Sequence, residues 1–392
     1  MSVKLLVFDS HPVQYRVPIW QTIARLQPGD IHVVYASDCS VRGYLDTEFG
    51  QSFAWDEPML EGYGYTVLNC EKGTPLSGWA SLTGKGVGKL IDAFKPEAIL
   101  LTGLNYRYDL MAYLEANRRG IPLWLRCETQ DEAVVRSRSK ATVRALMYKV
   151  TYRKFARIYY IGELNRRHYL KHGVPAEKLF PAFYGTVDRF ERMPADEKKR
   201  LRDASRASVG ISDTDFVIGF SGKLIQKKNP GILYKMLADL PEELRARTWL
   251  YFLGSGELEP ALKLEAQRAL EQFKVRTCFA GFANQSQLAA HYLAMDILVL
   301  PSRRMGETWG LVANEAMQAG CGVVVSDAVG CHVDFRSLER FRVFKEGDPT
   351  DLARAIYSLS TFARNFVWPR KVLENYSILS TATALMEKFS VA

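Results

Sequence analysis

The sequence predicts an α/β protein of two doubly wound domains, each a parallel sheet covered by helices on both faces. Short apolar runs rich in β-branched residues alternate with longer amphipathic stretches, and this rhythm appears twice along the chain. Near-continuous apolar strands separated by helices are the signature of parallel sheets buried on both sides. The length agrees: 392 residues make two or three domains at about 150 residues each.

In chain order, the first series of strands is expected at Leu5–Phe8, Ile31–Tyr35, Ala98–Leu101, Leu123–Leu125 and Ile158–Ile161. Helical patterns at Pro18–Arg25, Val87–Phe94 and Leu110–Asn117 lie between them. The second series is expected at Phe216–Ser221, Trp249–Phe252, Thr277–Phe279, Ile297–Leu300 and Gly322–Ser326. Tyr184–Asp188 reads as the end of the first unit, and the polar run Glu191–Arg206 leads into the second. The chain thus divides into residues 1–190 and 191–373. The remainder, 374–392, holds a helix at Thr381–Phe389 that is a candidate to cross back onto the first domain.

Hydrophobic residues make up 47% and charged residues 24%, which excludes disordered, collagenous and disulfide-scaffold classes. No apolar run approaches the 18 or so residues of a membrane span. The opening MSVKLLVFDS reads as a first strand and not a signal peptide. Six cysteines without CxxC spacing argue against structural zinc or a redox dithiol. They fit reduced thiols in a cytoplasmic protein.

The net charge of +9 favours an anionic partner. Between Ala133 and Lys171 stand eleven Lys and Arg residues against the single Glu163. Val143, Leu146, Met147 and Val150 recur there at helical spacing, with Arg136, Lys140 and Arg144 stepping by four. This basic amphipathic helix, within 133–157, either docks on an anionic membrane surface or packs its apolar stripe on the sheet. Nucleic acid is not an expected partner, because no recognition motif accompanies the charge.

Three strand-to-loop junctions look chemical. Gly306-Glu307-Thr308-Trp309-Gly310-Leu311 follows the Ile297–Leu300 strand and opens a helix carrying Glu315. A loop of this kind presents free backbone N–H groups to an anion, at the carboxyl end of the sheet where ligands bind. A fully helical path would separate the two carboxylates by about 12 Å, suited to gripping two ends of an extended ligand. Taken alone, Glu307 also reads as a helix N-terminal carboxylate and Glu315 as a solvated helix residue. The second junction, Gly222-Lys223-Leu224-Ile225-Gln226-Lys227-Lys228, places cations where a diphosphate fits, without P-loop spacing. The third, Leu253-Gly254-Ser255-Gly256, is a tight turn. In the first domain, His11 and Gln14 follow the first strand. The GxGxxG fingerprint is absent there, which disfavours a nicotinamide or flavin. Asp213-Thr214-Asp215 precedes its strand and reads as a turn rather than a metal site.

Together these segments resemble the retaining glycosyltransferases of family 4, which have the GT-B fold: two Rossmann-like domains facing across a cleft. The E-x7-E element is Glu307 to Glu315, and the basic pair is Lys223 and Lys228. FLGSGE, CFAGF and FKEGDPTDLARAI follow in the family's order, and SHPVQYRVPIW resembles bacterial envelope-polysaccharide enzymes. The resemblance implies transfer of a sugar from a nucleotide-sugar donor, UDP- or GDP-linked, to a glycan or lipid-linked acceptor, with neither metal nor cofactor. It implies that Glu307 contacts the sugar hydroxyls, Glu315 the ribose, and Lys223 and Lys228 the departing diphosphate. Thr308, Trp309, Gly310 and Leu311 would offer backbone N–H groups, with Gly222, Gly254 and Phe282 around the donor. His11, Gln14 and Glu128 are the acceptor-side candidates. This chain departs from the family in having Lys223 where Arg is common, and Arg126-Cys127-Glu128-Thr129 where many relatives carry a His. His11–Tyr15 also replaces their Gly-rich loop. A sugar-nucleotide epimerase or phosphorylase of the same fold, and a non-catalytic nucleotide-sugar or glycan binder, are the alternatives.

Overall fold

The computed structural model describes residues 3–42, 44–46, 51–53, 56–68, 76 and 78–389. Strands β1 (Leu5–Asp9), β2 (Ile31–Tyr35), β3 (Tyr44–Asp46), β4 (Gln51–Phe53) and β5 (Gly64–Val67) come first in the chain. They are followed by β6 (Ala98–Leu101), β7 (Leu123–Leu125), β8 (Arg157–Tyr160) and β9 (Leu179–Pro181). Apart from the β3–β4 hairpin, these form one parallel sheet in the order β5-β2-β1-β6-β7-β8-β9. The second half supplies β10 (Phe216–Ser221), β11 (Thr248–Leu253), β12 (Arg276–Gly281), β13 (Ile297–Leu300), β14 (Gly322–Ser326) and β15 (Phe341–Phe344). They form a second parallel sheet in the order β12-β11-β10-β13-β14-β15. Both orders reverse once, between β1 and β6 and between β10 and β13. At such a reversal the loops diverge and leave a crevice at the carboxyl ends of the strands.

Every residue of β1, β6, β7, β10, β11, β13 and β14 is buried. Helices on both faces exclude water from these apolar runs, and this burial is the main driving force for the two domains. The helix Val17–Leu26 turns Ile19, Trp20 and Ile23 onto β1 and β2. The polar run after Glu191 forms the helix Ala195–Ala207. It docks on the second domain because Arg202 and Arg206 both reach Asp296, each at 2.6 Å.

The C-terminal helix is Ile378–Met386, started by the Ser377 hydroxyl accepting from the Ser380 N–H at 3.1 Å. Ala382, Leu385 and Met386 pack among Leu5, Ile19 and Trp20 of the first domain. The last element of the chain therefore completes the core of the first one. The described cysteines are all free, and Cys70 lies outside the described residues. No helix among the described residues is long and apolar enough to cross a membrane.

Leu385 is fully buried against both segments. Leu385→Ala is expected to cost about 2–5 kcal/mol, read as a lower urea midpoint; an unchanged midpoint would show that this helix does not dock in solution.

Candidate active site at the domain interface

The strand reversal brings the chemical loops together. β10 and β13 are neighbours, with Ile218 opposite Ile297 and Gly219 opposite Leu298, so the loops after them emerge side by side. The Lys228 ammonium meets Glu307 Oε2 in a buried ion pair, and the Ser302 hydroxyl donates to the same oxygen at 3.0 Å. Burial pushes the Glu307 carboxyl up, but Lys228, then Lys227 and Ser302, pull it below its ordinary value overall. Lys227 itself donates to the Gly306 carbonyl at 3.1 Å.

Close backbone packing fixes the basic loop. Gly254 has φ +131°, and a Cβ there would lie 2.0 Å from the Gly222 carbonyl oxygen. Only glycine allows this approach. The Leu224 N–H donates to the Ser255 carbonyl at 2.9 Å, and the Gly254 N–H to Gly281 at 2.7 Å. The ends of β10, β11 and β12 are stitched together by these bonds. Lys223 stands half-buried on this loop, and Phe282, also half-buried, follows β12.

The helix Leu311–Gln318 begins after Gly310, whose φ of +99° is the left-handed turn that starts it. Only the stretch from Leu311 to Glu315 between the two glutamates is helical, so the fully helical spacing expected above does not apply. Glu315 is not a solvated helix residue. It accepts from the Tyr292 hydroxyl at 2.5 Å, and that hydroxyl lies 3.0 Å from Ser221 Oγ. Burial raises its pKa despite Tyr292 and Arg189. Glu315 lines a cleft between the domains that holds about 500 Å³ of space, its open mouth included, with Gln14, Tyr15, Arg189, Gln285 and Gln318.

The Trp309 side chain lies in the core. Its indole is buried in the core, stacks on Tyr376, and donates to Asn314 Oδ1 at 3.0 Å. It presses on Gly162 of the first domain, where a Cβ would fall 2.1 Å from the ring. Its side chain is a domain-joining wedge, which leaves only its backbone to face a ligand.

The first domain meets these loops directly. Thr308 Oγ1 lies 3.5 Å from Glu128 Oε2, while the Tyr184 hydroxyl donates to Glu128 Oε1. The Gly306 N–H donates to the Ala133 carbonyl at 2.8 Å, and Val134 bridges to Met305. Gln14 accepts from the Gln285 side chain at 2.8 Å. His11 lies beside Ser10, and burial followed by the Arg16 charge holds its imidazole down at about 3, so it is neutral. Arg16 grips the fully buried Asp9 through Nε and NH2 at 3.0 and 2.9 Å, fixing the loop that carries His11 and Gln14. Glu307 with Lys228 forms one centre and Glu315 with the cavity another, both at the carboxyl edge of the second sheet. Tyr292, Arg189 and Gln285 belong to the cavity, yet no motif in the sequence marks them. Only Gln285 had a nearby signal, the CFAGF segment that precedes it.

Residues 202–361 match the family of glycosyl transferases group 1. The match bears out the group 1 likeness within the resemblance drawn from the motifs. Group 1 likeness extends to relatives named D-inositol 3-phosphate glycosyltransferase. That of Geodermatophilus obscurus is 32% identical over 227 residues, 53% of this chain and 47% of the relative. That of Rhodococcus erythropolis is 29% identical over 200 residues, 49% and 45% of the two chains. The chain spans about half the length of the curated relatives it matches. Among solved structures, Anabaena HepE in complex with UDP and glucose superposes with a TM-score of 0.67 and 17% identity over 100% of both chains. WaaG, a glycosyltransferase involved in lipopolysaccharide biosynthesis, gives a TM-score of 0.62 and 13% identity, covering 99% of this chain and 100% of that one. The fold is GT-B.

Asp334 ties the second domain to the first. Asp334 accepts from the Glu163 N–H at the start of a first-domain helix, at 3.0 and 3.2 Å, and from the Tyr376 hydroxyl at 3.0 Å. Burial pushes its carboxyl up from 3.8 to about 6. The folded state thus holds this proton more tightly than the unfolded chain. Stability from this group is full below the unfolded value and falls as pH rises through about 6. Asp334→Asn is expected to flatten that decline in urea midpoints measured across the window; an unchanged slope would assign it elsewhere.

Proposed function

We propose that this protein is a retaining, metal-independent glycosyltransferase. It would move a sugar from a nucleotide-sugar donor, UDP- or GDP-linked, to a hydroxyl of a glycan or lipid-linked acceptor in cell-envelope polysaccharide or glycolipid synthesis. The observation that carries this is the preformed Lys228–Glu307 pair beside a helix start, with Glu315 turned into the interdomain cavity. The UDP complexes of HepE support a UDP-sugar as the donor.

Glycosyl transfer passes through an oxocarbenium-like state while negative charge builds on the departing diphosphate, so fixed cations lower the barrier. In this reading Lys228 and Lys223 hold the diphosphate. Lys228 is parked on Glu307 until the donor arrives, and its transfer to phosphate frees the Glu307 carboxylate for the sugar hydroxyls. Glu315, held by Tyr292, meets the ribose. Glu128, beside Thr308, stands where the two domains face the reacting sugar. Closure of the domains excludes water and limits donor hydrolysis.

The acceptor side also fits a membrane surface. In the helix Arg138–Tyr152, the stripe residues Val143, Leu146, Met147 and Val150 are 70%, 67%, 51% and 61% exposed. Tyr148 and Tyr152 make the contacts with the domain instead. Apolar side chains facing outward among Arg and Lys suit an anionic lipid surface, at about 1 kcal/mol per cation.

Glu307→Gln is expected to lower turnover about a hundredfold or more while nucleoside diphosphate affinity holds or rises, because Lys228 is released. Lys228→Ala should weaken that affinity about tenfold or more in calorimetry. Near-normal turnover in the first variant, or unchanged binding in the second, would remove that residue from the mechanism. A Leu146→Ser, Val150→Ser double variant should lose co-sedimentation with phosphatidylglycerol vesicles yet transfer normally to a soluble acceptor. Equal sedimentation would refute membrane docking through this helix.

A further inference from the structure

The first domain holds a second cluster of chemistry-bearing side chains. His168 and His172 lie four residues apart on the helix Glu163–Lys171 and its C-cap, so both imidazoles share one face. Asp131, from the loop after β7, enters between them. His168 Nδ1 is 3.0 Å from Asp131 Oδ1, and His172 Nε2 is 3.4 Å from Asp131 Oδ2. One ligand atom from each residue lies within 4.8 Å of the others. Measured to the single oxygen Oδ1, the two nitrogens are 3.0 and 3.5 Å away; ligand atoms on one tetrahedral metal at about 2.0–2.2 Å stand about 3.3–3.6 Å apart, a spacing that small side-chain shifts reach.

We propose that Asp131, His168 and His172 form a binding site for a borderline divalent metal of the Zn²⁺ class. Two imidazoles and one carboxylate are the ligand set such ions prefer, with a remaining position for water. A hydrogen-bonded His–Asp pair needs only one histidine. Here a second, nearly buried imidazole is packed with its ring centroid 4.5 Å from the first, an arrangement that one cation shared by two neutral rings explains.

The surroundings meet the further requirements of a metal site. The Tyr152 hydroxyl is 2.9 Å from His168 Nε2, which orients the ring and directs Nδ1 at Asp131. The Tyr148 ring packs edge-on against both histidines. Asp131 is 30% exposed on its side chain, which gives an entry path. Asp131 Oδ2 has the Lys171 ammonium 3.0 Å away, and Lys171 is 68% exposed and free to swing out. The ion would brace the loop from Cys127 to Val134, which carries Glu128 and accepts the Gly306 N–H at Ala133. Its role is to stiffen the first-domain wall beside Glu307, not to take part in transfer.

The test is calorimetric titration of untagged, chelator-treated full-length protein with Zn²⁺, together with visible absorption after Co²⁺ loading. One ion per chain is expected, with the intense bands of tetrahedral Co²⁺. Asp131→Asn and His172→Gln should each weaken binding at least tenfold. The surface variant Lys171→Ala should tighten it, because the competing ammonium is gone. Because replacing buried groups risks misfolding, near-UV circular dichroism accompanies each titration, and Lys171→Ala keeps the test open if either of the others fails to fold. Absence of one-to-one binding in the unmodified protein, or affinities that none of the three substitutions changes, would overturn the site.

Discussion

Glu307 is a buried carboxylate, 9% exposed, and an unpaired charge so placed would cost several kcal/mol or take up a proton. Lys228 and the Ser302 hydroxyl are what keep it ionised. The partners come from loops 79 residues apart, and the adjacency of β10 and β13 at the reversal of strand order brings those loops side by side. The geometry of this pair therefore depends on the sheet topology first and on local loop chemistry second. The glycine contacts among the ends of β10, β11 and β12 tighten the same edge.

The two domains meet through a continuous apolar core, in which Ile161 and Tyr184 pack with Trp309, and through polar contacts made by buried side chains. Asn314 donates to the Tyr184 carbonyl at 3.1 Å and Gln318 to the Thr186 carbonyl at 3.4 Å, both from the helix that carries Glu315. Asp334 caps a first-domain helix, and Trp309 fits against Gly162. The polar bonds fix one relative position because each buried donor and acceptor is satisfied in only one register. The helix bearing Glu315 is thus both part of the cavity wall and part of the seam, so the position of the first domain is felt at that carboxylate.

Strands buried on both faces, or nearly so, were legible because they read as predominantly apolar runs. β2, β6, β7, β10, β13 and β14 sit where the sequence places them. β9, of three residues, and β15, interrupted by Arg342, lack that signature and were not legible. The run Glu191–Arg206 reads as a polar linker, yet Arg206 is 1% exposed, since its guanidinium finds Asp296 and three carbonyls. Charge in a sequence says nothing about whether a partner awaits it. The Trp309 side chain shows the same dependence on context: it sits in a loop of ligand-binding type, and packing makes it core.

Periodicity and composition by themselves determined the two parallel-sheet domains, and the ordered motifs determined the group 1 resemblance. Both rest on local patterns that survive without three-dimensional context. Tertiary structure decided which carboxylate meets which ammonium, which face of the Arg138–Tyr152 helix meets solvent, and that His168, His172 and Asp131 converge. Those outcomes depend on residues distant in the chain sharing one small volume, and distance in space is not written in spacing along the sequence.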